Sequence, residues 1–183
     1  TRRSSDLEKV KDGRYLKNYE LTYRNKAGKE KKYEIVSRND IAGPHMIGEK
    51  VSGVSIVAYY EDKILRLREF RMGGNRLIYN LCAGMIEEGE SLEECIQREL
   101  YEETGLSVKK ILNILPPSFA AVAFSDVNTQ ISFVDVEGSF EDHTSENEQI
   151  NAGFYTKEEV HDLLETEEFS SRAQIAAYLF SIS

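Results

Sequence analysis

Residues 84–106 read GMIEEGESLEECIQRELYEETGL, a glycine-bearing loop that runs into a helix. Ser91 is a good N-cap and Glu94 stands three residues on, so the helix opens with a capping box. Gly105 is placed to end it, because glycine tolerates the left-handed conformation of a helix stop. At 100° per residue, Leu92, Cys95, Ile96 and Leu100 share a face with Glu99, Glu102 and Glu103. Glu93, Glu94, Gln97, Arg98 and Tyr101 take the other face. Carboxylates on a core-facing surface must be paired, protonated or bound to a metal. A hard divalent cation removes their repulsion, and Mg²⁺ favours carboxylate and phosphate oxygens. The simpler reading is a solvated acidic face at the edge of a core.

The flanks of this stretch alternate strands and helices. Leu77–Cys82 leads in as a strand. Before it lie two apolar strands, Val51–Tyr60 and Ile64–Phe70, joined at Glu61-Asp62-Lys63. Met72-Gly73-Gly74-Asn75 is a plain turn, too short for a phosphate-binding loop. Downstream, Leu106–Leu115 reads as a strand that Pro116-Pro117 breaks. Thr129–Val136 and Gln149–Tyr155 are further strands. Thr156 and Glu159 form a second capping box for a helix reaching about Glu165, and Ser171 caps a last helix, Arg172–Ser181. Near the N-terminus, Tyr15–Tyr23 and Lys32–Ser37 flank turn residues Asn25–Lys29 and read as a hairpin. The polar residues before about 13 are expected to fray. The pattern predicts an α+β fold, a mixed sheet between helices with an N-terminal antiparallel hairpin. It divides into an extension over 1–45 and a main domain over 46–183.

Composition narrows the function classes. The chain has 183 residues, is 40% hydrophobic and 30% charged, and carries a net charge of −9. That charge argues against a nucleic-acid-binding surface. It leaves room for a small phosphorylated substrate, since a cation and a few arginines reverse the field locally. Cys82 and Cys95 lie in apolar contexts and read as core residues rather than a disulfide. No apolar run has membrane-spanning length, and no signal-peptide pattern is present, so a cytoplasmic location is the expectation.

Gly84, Glu90, Arg98, Glu99, Leu100, Glu102, Glu103, Gly105 and Leu106 fall on every fixed position of the Nudix box, and the chain resembles a Nudix hydrolase. The resemblance implies an α/β/α sandwich and Mg²⁺- or Mn²⁺-dependent hydrolysis of a nucleoside diphosphate linked to another group. By it, Glu99, Glu103 and the Ala83 carbonyl are metal ligands, Glu102 assists them, and Arg98 orients the glutamates. The segments Arg68–Gly74 and Leu81–Ile86 are similar to those of ADP-ribose and nucleoside-diphosphate-sugar pyrophosphatases, where an arginine matching Arg71 contacts substrate. The chain departs from that branch twice. Asn80-Leu81-Cys82-Ala83-Gly84 replaces a Glu-aliphatic-Pro-Ala-Gly run, and Ala121–Asp126 stands where a Ser-Pro-Gly-like run is usual. The acidic loop over 141–150 resembles one that carries the base in bacterial relatives, making Glu146 the candidate base and Glu148 a metal ligand. His143 reads as exposed and idle. The resemblance also implies a homodimer through residues 14–40. The alternatives are another nucleotide substrate, or a nucleotide-sensing module without turnover.

Overall fold

The computed structural model describes residues 4–144 and 149–183. In chain order it contains β1 (Ser4–Asp12), β2 (Lys17–Arg24), β3 (Glu30–Ser37), β4 (Val51–Tyr60), β5 (Lys63–Arg71), β6 (Arg76–Asn80) and β7 (Cys82–Met85). Then follow α1 (Leu92–Thr104), β8 (Ser107–Ile114), β9 (Ser118–Phe119), β10 (Asn128–Glu137), β11 (Ile150–Tyr155), α2 (Lys157–Thr166) and α3 (Ser171–Ser181). No helix among the described residues is long and apolar enough to cross a membrane.

The chain forms two compact units. The first contains the chain up to Ser52 together with Pro117–Thr129. Its centre is an antiparallel sheet in the order β1-β2-β3. Where fraying was expected, β1 is a strand laddered onto β2 from Ser4↔Tyr23 to Asp12↔Lys17. Its sequence hides this, because among its described hydrophobic side chains Leu7 is the one packed on the unit's core of Tyr19, Leu21, Ile35 and Ile41. Backbone hydrogen bonds hold β1, with Lys9 paired to Asp40 and, at 3.5 Å, to Asp12. The expected two-stranded hairpin is therefore a three-stranded sheet with its own small core. The Tyr19 hydroxyl accepts from the Ile41 N–H at 2.9 Å and fixes the chain as it leaves β3.

Residues 117–129 join this unit through contacts distant in sequence. The Val36 N–H donates to the Phe124 carbonyl at 2.8 Å, and the Ser37 hydroxyl to Asp126 at 3.0 Å. The unit thus takes in more of the chain than an extension over 1–45.

The second unit, Gly53–Pro116 with Gln130–Ser183, carries the sheet β11-β5-β4-β10-β8, with β6 on β5 and β7 on β4. β4 and β5 are buried over most of their length because both faces are covered. On one face, Cys95, Ile96 and Leu100 of α1 pack against Val54, Leu65, Leu67 and Val134. On the other, Val160 of α2 and Ala173 and Ala177 of α3 pack against Val57, Ile64 and Leu81. The expected sandwich of helices about a sheet is present. The expected strand Leu77–Cys82 is split in two. Asn80 turns its Oδ1 to the Leu81 N–H at 2.9 Å, which takes that group from the ladder. β6 then ends on β5 and β7 restarts on β4. The split places β7 against α1.

Candidate active site

The capping box that starts α1 closes in both directions. The Glu94 N–H donates to the Ser91 hydroxyl at 3.3 Å, and the Ser91 N–H to the Glu94 carboxylate at 2.8 Å. Gly105 ends the helix at φ 77°, its N–H on the Tyr101 carbonyl. The helix buries Cys95, Ile96, Glu99, Leu100 and Thr104, so one carboxylate sits in an apolar stripe. What admits it is Gly84 on β7. A Cβ built there would lie 1.7 Å from the Glu99 carboxyl carbon.

Arg98 organises the surrounding charges. Its Nε and one terminal nitrogen grip both Glu90 oxygens, at 2.7 and 2.9 Å. The other terminal nitrogen donates to Glu99 at 2.8 Å and Glu102 at 3.1 Å. The Met85 carbonyl accepts a further bond at 2.9 Å. Three carboxylates on one guanidinium raise its pKa, with Glu90 the main cause. The two-point bond to Arg98 in turn holds Glu90 down at about 2. Glu90 also accepts the Glu87 N–H at 2.9 Å, which ties the loop to the helix. Burial raises the pKa of Glu99 against the pull of Arg98.

Glu103 is in a different setting. It accepts the Ala83 N–H at 3.2 Å. Burial pushes its pKa up to about 8, reinforced by the charges of Glu99 and Glu69. It opens onto a cleft of about 340 Å³ bordered by Glu69, Arg71, Ala83 and Gln149. Arg71 is largely exposed and donates to Glu69 at 3.3 Å.

The structure therefore brings Arg98, Glu99 and Glu102 into one network, and Glu103, Ala83 and Arg71 to one cleft. Glu146 and Glu148 lie outside the described residues. Among the described residues, no three acidic, histidine or cysteine side chains converge as they stand on a single metal position. Arg98 draws Glu99 and Glu102 to itself, while Glu103 turns to the backbone of β7. The donor set nevertheless suits a hard divalent cation. It is all oxygen and partly buried, and burial, with neighbouring carboxylates adding to it, raises the pKa of both Glu99 and Glu103.

Sequence reasoning gave no role to Glu69. It is 7% exposed, and its carboxylate accepts from the Asn80 amide as well as from Arg71. Asn80 in turn accepts the Ser170 hydroxyl at 2.6 Å. The signal was present in β5, where Glu69 continues the inward alternation of Leu65 and Leu67. His143 is exposed, as expected. Its ring stacks on Tyr101, with centroids 4.5 Å apart, and its Nε2 lies 3.1 Å from Glu141. Both cysteines are free and buried.

Sheet, carboxylate helix and glycine loop together define a Nudix-type domain. The NUDIX domain matches residues 49–178, and the chain belongs to that family. It is 26% identical over 136 residues to an ADP-ribose pyrophosphatase of Saccharomyces cerevisiae, covering 73% of this chain and 58% of that one. It is also 26% identical to an ADP-sugar pyrophosphatase of Mus musculus over 131 residues, 72% of this chain and 60% of that one. The chain thus spans under two thirds of the length of these relatives. A solved crystal structure of an ADP compounds hydrolase matches 97% of this chain and 91% of its own, with TM-score 0.77 and 22% identity. That likeness concerns the fold.

Proposed function

We propose that this protein hydrolyses the diphosphate of a nucleoside diphosphate joined to a second group, with ADP-ribose or an ADP-sugar as the leading substrate. The observation that carries the reading is the cleft where Glu103 and Arg71 meet, backed by the Arg98 network. The relatives named for ADP-ribose and ADP-sugars support the choice of substrate.

In this reading Glu99, Glu103 and the Ala83 carbonyl, with Glu102 beside them and Glu148 from the following loop, hold Mg²⁺ or Mn²⁺. Such an ion supplies Lewis acidity and a water of lowered pKa. Arg98 keeps Glu99 and Glu102 in register and Glu90 anchors Arg98, support of the kind that orients ligands from behind. Arg71 binds the diphosphate or stacks on the base, as a guanidinium can do both. Glu69 and Asn80 hold its orientation. Glu146 accepts the proton of the attacking water. The bridging P–O bond breaks and leaves a nucleoside monophosphate and a phosphorylated remainder. From ADP-ribose these are AMP and ribose 5-phosphate. A homodimer through residues 14–40 belongs to the same proposal, supported by the exposed Tyr15, Leu16 and Tyr33.

A panel of nucleoside diphosphate conjugates, assayed with and without Mg²⁺ and with product analysis, tests this reading. The expected result is cation-dependent release of AMP from ADP-ribose or an ADP-sugar. Binding of these compounds without turnover would identify a sensing module instead. Turnover confined to other nucleotides would move the substrate within the family.

A further inference from the structure

Ser170 stands at the N-cap of α3, where a serine ordinarily turns its hydroxyl onto the backbone of the first turn. Here it makes no such bond. The hydroxyl instead donates to Asn80 Oδ1 at 2.6 Å. A residue suited to cap the helix is in place, and its side chain is spent elsewhere.

It is spent at one end of a chain of four side chains. Asn80 Oδ1 also accepts the Leu81 N–H at 2.9 Å. That N–H can only donate, which fixes the amide oxygen towards Leu81 and Ser170 and its nitrogen towards β5. The nitrogen donates to one oxygen of Glu69. The other Glu69 oxygen accepts from Nη1 of Arg71 at 3.3 Å. In the ladder, Glu69 lies opposite Ile78 and Asn80 opposite Leu67, so the two are diagonal neighbours within reach on one face. The strand break at Asn80 needs only the bond to Leu81. The bonds to Glu69 and Ser170 are additional, and they join the start of α3 to the cleft.

The two ends of this chain differ. Residues 167–170, between α2 and α3, are tied to β6. The Tyr79 N–H donates to the Glu168 carbonyl at 2.7 Å, and the Ser170 N–H to the Tyr79 carbonyl at 3.0 Å. The Phe169 ring stacks on Tyr79 with centroids 5.2 Å apart. Arg71, at the other end, has a side chain that is 57% exposed. A long exposed arginine loses rotamer freedom when it grips an anion, and a partner that holds it beforehand removes part of that cost.

We propose that Ser170, Asn80 and Glu69 are positioning residues acting in series, holding the Arg71 guanidinium ready for the diphosphate, with the α2–α3 connection as the fixed end. This rests on the reading of Arg71 as the residue that binds the diphosphate. Affinity for substrate is then set in part by a hydroxyl that does not line the cleft. A loosened Arg71 weakens the grip on substrate and transition state alike, so KM rises while kcat holds.

The test is steady-state kinetics of the intact protein on the conjugate that the substrate panel shows to be cleaved fastest, with calorimetric titration of ADP alongside. Ser170→Ala is expected to raise KM by about 2–10-fold, the worth of one neutral hydrogen bond, with kcat unchanged and ADP weakened to match. Its Tm should move by no more than a few degrees, since no cap bond is lost. Ser170→Thr, which keeps the hydroxyl, should keep the wild-type KM. Asn80→Ala should raise KM at least as far. Adding Ser170→Ala to it should raise KM no further, because both changes cut one chain. An unmoved KM in Ser170→Ala would overturn the proposal, whether or not Tm falls, and so would KM changes that add in the double variant. In these cases the wild type is active and Arg71→Ala raises KM. A wild type that neither cleaves a conjugate nor binds ADP, or a wild-type KM in Arg71→Ala, would instead remove the reading of the cleft on which the proposal stands.

Discussion

α1 and α2 are built from the same sequence signals and do different things. Each opens with a capping box, Ser91 with Glu94 and Thr156 with Glu159, and both boxes close in the structure. Each is rich in acids. In α2, Glu158, Glu159, Asp162 and Glu165 are all exposed, and Val160 is the buried residue. In α1, Glu99 is buried beside Leu100, and Glu103 follows one turn on. An acidic helix is therefore uninformative in itself. What singles out α1 is the phase of its acids relative to its apolar stripe, together with a glycine on the facing strand that makes room for one of them.

The strongest way to break this contrast is Glu103→Gln. Loss of a carboxylate from the cleft is expected to nearly abolish turnover, beyond the ~10–100-fold cost of losing a merely supporting residue. Far-UV circular dichroism should remain that of the wild type. The matched change on α2, Asp162→Asn, should leave kcat as it was. Wild-type turnover by Glu103→Gln at saturating Mg²⁺ would sink the assignment of α1.

Next in size is Glu146→Gln, which asks whether α1 works alone. With Glu146 as the base, kcat should fall by about 10²–10⁴ while KM holds. Glu148→Gln should instead raise the Mg²⁺ concentration needed for half activity. Unchanged kcat in Glu146→Gln would return the base to α1 or to the loop over 87–90.

A third measurement needs no substrate. Burial raises Glu103 from 4.5 in an unfolded chain to about 8 in the folded one. A raised carboxyl contributes stability that is fully present below about pH 4.5 and is lost as pH rises through about 8. Melting curves in a chelator should therefore show Tm declining across that window. The decline should flatten in Glu103→Gln and persist in Glu159→Gln, whose carboxylate lies on the exposed face of α2.

The smallest effects concern what the two helices share. Ser91→Ala and Thr156→Ala should each cost about 0.5–2 kcal/mol by denaturant titration. Similar costs would show that capping is indifferent to function, whereas a much larger cost at Ser91 would tie the start of α1 to the Glu90–Arg98 pair.

The sequence exposed those parts of the molecule that rest on local rules. The capping boxes of α1 and α2, turn residues and the phase of α1 depend on neighbours three or four residues apart, so α1 and its glutamates could be placed from the chain alone; the expected cap at Ser171 was one residue off, since α3 starts after Ser170 with no side-chain cap bond. The strand β1 could not, because Lys9, Lys11 and Asp12 give it the composition of a tail while its backbone supplies the ladder. Residues 117–129 were opaque for a related reason. Their attachment runs in part through carbonyls and N–H groups of residues some ninety positions away, groups common to every residue type, and its side-chain bond from Ser37 to Asp126 spans the same distance in sequence. Glu69 and Asn80 lay in between. Both were visible as residues, but their meeting required β6 to end at Asn80 and the chain to pass from one neighbouring strand to another.

Gly84 has a consequence for how this protein can change over generations. Its φ is not positive, so its own backbone would accept any ordinary residue. The demand for glycine comes from the volume of Glu99 opposite. The two positions are therefore bound in one direction of descent. A lineage that keeps the Glu99 carboxylate in this position can accept nothing else at 84, whereas one that replaces Glu99 with a small residue frees 84 to drift. A copy of this gene released from its chemistry should lose the glutamate first and the glycine afterwards. The order of those two losses then records when the selection on the site lapsed.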